Sequence, residues 1–369
     1  MALLSCTGYD SACIHDAVQR SVGLLGGMGQ FIKPGDSVLI KPNMLKAMPP
    51  EAAVTTHPEV VRSVIKLVRT AGGDPIVGDS PGMGDVRKVA EKCGILAVLR
   101  DHDVPLVDLD EAVQVRGKGR FQHFEIARRA IEADAIINLP KLKTHGMTTL
   151  TGAVKNLFGC IPGRRKVQWH FNTGVNHEHF MQMLLDLYML LRPKLTIMDA
   201  VVGMEGNGPG SGDPRMIGAI IVGQDAVSVD VVAGRLVGVG TDRLPIARIA
   251  AASGIGETDI DRIHVVGDDP AGFYIKNFRL PPREHTEWRL PEWARRSMKN
   301  ALTTRPSVDH GACVKCGICW SHCPQKAITH EAGNLRINYR VCIRCYCCQE
   351  FCPQGAITVG KGWALKLLP

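Results

Sequence analysis

Cys313-Val-Lys-Cys316-Gly-Ile-Cys319-Trp-Ser-His-Cys323-Pro324 is a C-x2-C-x2-C-x3-C-P run, and it returns as Cys342-Ile-Arg-Cys345-Tyr-Cys347-Cys348-Gln-Glu-Phe-Cys352-Pro353. That spacing holds a cubic [4Fe–4S] cluster. Its two-residue gaps let the backbone curl so that three thiolates wrap one cube, while the fourth cysteine, fixed by the proline after it, reaches across to the other. By this crossover Cys313, Cys316, Cys319 and Cys352 bind one cluster, and Cys342, Cys345, Cys348 and Cys323 bind the second.

The ligands and the proline recur at a constant offset of 29 residues, and Ala327-Ile328-Thr329 recurs as Ala356-Ile357-Thr358 at the same offset. The region is therefore an internal duplication. Structural zinc is the competing reading of C-x2-C pairs, but tetrahedral zinc has no use for a triplet followed by Cys-Pro. Cys347 falls outside the ligand register and reads as a spare thiol.

A chain of 369 residues has room for much more than such a module. Its 45% hydrophobic content supports a core, and 5% aromatic content means that core rests on Val, Ile, Leu, Ala and Met. We expect three parts: an α/β ligand- or substrate-binding domain over 1–270, a basic Pro-containing linker over 271–306, and the two-cluster domain over 307–369. No signal peptide is apparent, and no window reaches ~18 uninterrupted apolar residues, so no membrane span is expected. Cys6, Cys13, Cys93, Cys160 and Cys347 show no disulfide framework, which suits a reducing cytoplasm. The net charge of +8 is concentrated between Ala271 and Arg305. Without a nucleic-acid-binding module to carry it, that charge reads as a solvated linker or a docking surface for a soluble electron donor or acceptor protein. Trp288 and Trp293 are placed to pin the linker to the surface.

The first 270 residues alternate strand and helix signals. Strands are expected at 36–43, 75–79, 104–107, 133–140, 195–198 and 217–222. Thr56-His57-Pro58-Glu59 opens a helix that Thr56 can cap, with Glu59 at the capping-box position, Val60, Val61, Val64, Ile65 and Val68 on one face, and Gly72-Gly73 at its end. Further helices are expected at 86–93, 151–158, 180–191 and 227–237. The fold class is α/β, a mainly parallel sheet covered by helices, followed by a small ferredoxin-like α+β two-cluster domain.

Ligands in such sheets sit beyond the carboxyl ends of the strands. Lys41 and Asn43 follow the first of these strands, Asp79 ends the second, and Lys141, Lys143 and His145 follow Asn138-Leu-Pro140. Lys155 and Asn156 come next. Taken singly, each lysine reads as a solvated loop residue. Taken together at one edge, they suit an anionic small molecule. His145 and His170, set among cations that would keep them neutral, are the better proton donors. His57 either occupies the first turn of its helix or faces the same crevice. Cys160 reads as a small buried hydrophobe. Gly203–Gly212 lacks the G-x-x-x-x-G-K-[ST] pattern and joins strand to strand, and no G-x-G-x-x-G opens a helix, so neither nucleotide nor nicotinamide binding is supported.

Leu39-Ile-Lys-Pro-Asn43, Thr55-Thr-His-Pro58, Gly78-Asp-Ser-Pro81, Asn138-Leu-Pro-Lys-Leu-Lys-Thr-His145, Thr151-Gly-Ala-Val-Lys-Asn-Leu-Phe-Gly-Cys160 and Glu205-Gly-Asn-Gly-Pro209 together resemble the uncharacterised Fe–S centre protein family, the domain of unknown function numbered 362. The resemblance runs from Val38 to Val239, and the tail is similar to a bacterial two-cluster ferredoxin domain. It implies a cytoplasmic iron–sulfur protein with a ligand site in the large domain. Two readings follow. In one, an oxidoreductase passes electrons through two [4Fe–4S] clusters to or from an anionic small molecule, or a bound flavin for which no motif is present. In the other, a non-catalytic electron carrier or assembly factor docks a partner enzyme through its large domain.

Overall fold

The computed structural model describes residues 1–163, 165–173, 176–282, 304–331 and 334–360. The large domain contains strands β1 (Ala2–Ser5), β2 (Ser37–Pro42), β3 (Asp74–Asp79), β4 (Leu106–Asp108), β5 (Ala112–Arg116), β6 (His123–Ala127), β7 (Ala135–Leu139), β8 (Lys141–His145), β9 (Thr149–Leu150), β10 (Leu195–Glu205), β11 (Asp213–Gly223) and β12 (Val266–Gly267). Its helices are α1 (Ser11–Gly23), α2 (Pro58–Thr70), α3 (Val86–Lys92), α4 (Ile95–Asp101), α5 (Arg128–Glu132), α6 (Gly152–Asn156), α7 (Arg165–Thr173), α8 (His177–Leu191), α9 (Ala226–Leu236) and α10 (Pro245–Ser253).

One sheet runs in the order β12-β1-β11-β10-β7-β2-β3-β4, with β8 and β9 attached beside β10. From β10 to β4 the neighbours are parallel, whereas β11 runs antiparallel to both β10 and β1. A strand paired on both sides and covered on both faces must be apolar along its whole length, and Val38-Leu-Ile40 is. The pleat sends Val38 and Ile40 into the core under α1 to α4, and Leu39 into the opposite core with Phe124, Leu184 and Val229.

The sheet is thus mainly parallel with helices on both faces, and the short N-terminal strand β1 and the β5–β6 hairpin add to the expected elements. Strand β10 runs into the glycine-rich stretch as far as Glu205, which pairs with Asp213 at the start of β11, so the stretch forms the tip of an antiparallel hairpin. The N-cap of α2 is His57, whose Nδ1 accepts from the Glu59 N–H at 3.3 Å. Thr56 does not cap the helix: its hydroxyl accepts from Asn43 N–H at 2.8 Å and donates to Leu139 O at 2.6 Å, tying together the ends of β2 and β7.

Beyond the large domain, β13 (Arg305–Val308) pairs with β16 (Ile357–Gly360), and β14 (Ile328–Glu331) pairs with β15 (Asn334–Ile337). Two single-turn helices, α11 (Ile318–Ser321) and α12 (Cys347–Glu350), lie between them. Trp288 and Trp293 lie outside the described residues. Before them, Arg279 crosses the β10–β11 hairpin, its side chain 2.9 Å from Glu205 and 2.6 Å from Asp213.

Candidate functional site

In the small domain the buried cluster consists of Cys319, Ile328, Leu335, Cys348 and Ile357. A core this small cannot hold a domain of that size together unaided, and bound metal commonly supplies the rest. Two cavities lie in it. One is lined by Cys313, Cys316, Cys319 and Cys352, with Ile318, Leu335 and Ile357. The other is lined by Cys323, Cys342, Cys345 and Cys348, with Ile328, Ile337 and Ile343. Each cavity gathers three cysteines of one motif and the Cys-Pro cysteine of the other.

The backbone repeats with the sequence. Lys315 and Arg344, Gly317 and Tyr346, and Lys326 and Gly355 are three pairs of left-handed residues, each separated by the 29-residue offset. Such turns reverse the chain around each cavity. Ala327 N–H donates to Cys323 Sγ and Ala356 N–H to Cys352 Sγ, both at 3.2 Å. Four thiols, an apolar wall and N–H donors aimed at sulfur are the donor set a cubane cluster takes. Burial pushes the Cys319 thiol up to about 11 and Cys348 well above its ordinary value, a cost that metal ligation removes. Cys316 is exposed, whereas Cys348 and Cys352 are buried.

At the carboxyl edge of the sheet, lysines are buried with polar partners. Lys41 Nζ is 2.9 Å from Asp79 Oδ1 and donates to Asn156 Oδ1 at 3.1 Å and to Pro42 O at 2.8 Å. The Gly159 backbone passes directly over this pair: a Cβ there would lie 1.9 Å from Asp79 Oδ1. Lys141 Nζ is 2.8 Å from Asp199 Oδ2 and donates to the Tyr9 hydroxyl at 2.7 Å. That hydroxyl donates to Asp199 Oδ1 at 2.7 Å, and the Tyr9 ring stacks on His57 with centroids 3.6 Å apart. Lys143 is different. Its amine donates to Asn43 Oδ1 and Val54 O, both at 2.7 Å, and among the described residues no carboxylate pairs with it. Burial, with Lys155 adding to it, pushes Lys143 well below the ordinary lysine range.

His145 is fully buried. Its Nδ1 accepts from Met147 N–H at 3.0 Å, which places the proton on Nε2, 2.6 Å from Glu350 Oε1. Burial, then Lys155, hold it down at about 4, so it is a neutral donor at pH 7. Burial alone would raise Glu350, but Lys155, 3.8 Å away, and His145 outweigh it and keep the carboxylate below its usual range. His170 stacks on Phe180 at 4.4 Å and is held at about 3 by burial, with Glu350, Lys155 and His145 near enough to act on it electrostatically. Burial pushes Cys160 up to about 12, which leaves it an inert thiol.

Glu350 belongs to the second cysteine motif, so the small domain is seated on the edge where the lysines gather. Lys46 Nζ reaches Cys352 O at 3.3 Å, and Gln349 Nε2 bonds Asn207 and Gly208 O. Gly146 backs onto Gln349, Tyr346 and Val359. Sequence reasoning missed Tyr9, Lys46, Asp199 and Glu350. Asp199, a carboxylate inside the apolar run Leu195–Val202, was the available signal, because a buried charge requires a partner.

The fold and these cavities define an α/β protein with a C-terminal [4Fe–4S] dicluster module. The chain belongs to the family described as "Domain of unknown function (DUF362)", which matches residues 38–235, and a 4Fe-4S dicluster domain matches 305–353. It is 36% identical over 281 residues to a thylakoid-associated protein of Synechocystis sp., covering 76% of this chain and 87% of that one. The lactate racemase apoprotein from Thermoanaerobacterium thermosaccharolyticum aligns at 12% identity with a TM-score of 0.40, over 61% of this chain and 54% of that one, so this chain spans about half its length. No described helix is long and apolar enough to cross a membrane.

Proposed function

We propose that the protein is an iron–sulfur oxidoreductase that exchanges electrons between a soluble redox protein and an anionic small molecule held at the buried lysine edge, in a reducing cytoplasm. The observation that carries this reading is the seating of the cysteine motifs on that edge, with His145 2.6 Å from Glu350 and Lys46 3.3 Å from the carbonyl of Cys352. When bound by the two cysteine quartets, [4Fe–4S] clusters supply one-electron transfer. The chain's own residues supply the rest. Lys143 offers an amine that no carboxylate pairs with among the described residues and that a bound anion would favour in its charged form, Asn43 and Asn156 hold the lysines in place, and the Nε2 proton of His145 is fixed at the joint. The exposed Cys316 side is the approach for the redox protein.

A second reading rests on the same seating. The small domain itself covers part of the edge, so the large domain can serve as its scaffold, with the clusters serving a partner enzyme. Native mass spectrometry of anaerobically purified protein counts iron and sulfide and detects any retained flavin or ligand. Two clusters that bleach with dithionite are expected. A thermal-shift screen of carboxylates and phosphates then separates the readings. A stabilising anion whose effect vanishes in Lys143→Gln supports the oxidoreductase, and a screen in which no anion stabilises the native protein removes the small-molecule part.

A further inference from the structure

Cys6 follows β1 and Cys13 stands in the first turn of α1. Their sulfurs lie 3.1 Å apart, about 1 Å beyond the S–S bond length of ~2.05 Å. Cys6 is buried, whereas Cys13 is half-buried and open to solvent. The six residues between them include Tyr9, which leaves the segment to reach the Lys141–Asp199 pair. Its hydroxyl accepts from Lys141 Nζ at 2.7 Å and from Val202 N–H at 3.0 Å, and its ring covers His57. A covalent link between the cysteines would close a short loop around the residue that seats on the buried edge.

We propose that Cys6 and Cys13 are a redox-active dithiol, converted to an intramolecular disulfide by exchange with a low-molecular-weight disulfide. The accessible Cys13 gives up its proton and attacks one sulfur of R–S–S–R. A Cys13–S–S–R bond forms and RS⁻ leaves, taking up a proton. Cys6 then loses its proton and attacks the Cys13 sulfur, forming the Cys6–Cys13 bond and releasing the second RS⁻. Two protein thiols are oxidised and one R–S–S–R is reduced to two RSH, so electrons and protons balance. Cys6 is buried and 3.1 Å from Cys13, so it is reached only by the intramolecular step, and burial, which pushes its thiol up to about 12, leaves the first attack to Cys13. The oxidised state pins Tyr9 on Asp199, and the reduced state leaves the segment held by hydrogen bonds alone. Transient, redox-sensing disulfides of this kind are compatible with a reducing compartment.

The test uses anaerobic holoprotein incubated with glutathione disulfide, quenched with iodoacetamide and digested with trypsin. No Lys or Arg precedes Arg20, so both cysteines fall in the single peptide Met1–Arg20. That peptide should emerge two hydrogens lighter and unalkylated, with slower amide exchange from Gly8 to Ala12 in the oxidised protein. Cys6→Ser should stall as a glutathione adduct on Cys13, and Cys13→Ser should leave Cys6 unmodified. A native peptide that keeps two alkylated cysteines, or that accumulates a lasting glutathione adduct, would overturn the assignment.

Discussion

Lys41 and Lys143 occupy the same buried edge with nearly no exposure, and only their partners distinguish them. Removing one member of a buried ion pair leaves a charge with neither water nor counter-ion, at a cost of about 3–5 kcal/mol. Lys41→Met takes from Asp79 its partner at 2.9 Å and leaves the carboxylate with the Met44 N–H and the field of Lys166, so the loss should lie at the low end of that range. Lys143→Met strands no charge but leaves the buried Asn43 and Val54 oxygens without their donor, so its cost should be about 1–3 kcal/mol, below that of Lys41→Met. Urea unfolding of the two anaerobic holoproteins makes the comparison, and equal losses would contradict the assignment of Lys143 as the lysine without a carboxylate. Gly159→Ala acts on the Lys41 pair from the backbone side. Its Cβ would sit 1.9 Å from Asp79 Oδ1 and 2.6 Å from Lys41 Nζ, and both groups are buried, so neither can swing into solvent. A loss of about 2–4 kcal/mol is expected by overpacking and a broken pair, read from the same urea midpoints.

At the level of elements, the cysteine motifs were the most legible part of the chain because thiolate spacing maps directly onto backbone turns. The left-handed residues recur at the 29-residue offset even where the side chains differ, as with Gly317 and Tyr346. Tyr346 tolerates its φ of 58°, and its hydroxyl is bonded to Thr304 at 2.9 Å. Gly317, at φ 88°, has the Trp320 ring 3.1 Å from any added Cβ. Gly317→Ala should therefore cost about 1–2 kcal/mol locally and lower the iron retained by the first cavity, while the second keeps its own. Iron counts after mild chelation read this out, and equal iron loss from both cavities would argue against independent loops. The β2–α2–β3 unit was legible for a similar reason: a continuous apolar run and a 3.6-residue stripe have one reading each. The partners of the lysines were not legible. Lys141 meets Asp199 and Lys46 meets Cys352 only after the chain has crossed the sheet, and His145 finds Glu350 across more than half the chain. The Thr56 cap failed because a tertiary hydrogen bond to Leu139 claimed the hydroxyl and moved the cap to His57.

Over the whole molecule, buried titratable groups make stability depend on acidity with a sign that can be worked out. Burial holds His57 at about 4 and His170 at about 3 in the folded protein, against about 6.5 in the unfolded chain. Below pH 6.5 the unfolded chain takes up protons that the folded one refuses, so each group removes stability as pH falls towards its folded value, by on the order of 1.4 kcal/mol per pH unit at the steepest. His145, also held at about 4, acts in the same direction. Asp230 opposes them. Buried beneath α6, and accepting from Ala153 and Val154 N–H, its carboxyl is raised by burial to about 7, so the folded protein binds that proton first. Stability from Asp230 therefore rises as pH falls from 7 to about 4. Three histidines outweigh one carboxyl, and net destabilisation is expected between pH 6.5 and 5. Urea midpoints across that window should fall more gently in His170→Phe, which removes one titration within an aromatic pocket, and more steeply in Asp230→Asn, which removes the opposing one. If His170→Phe follows the native slope, His170 is already protonated in the folded protein, and its burial between Phe158 and Phe180 does not set its charge.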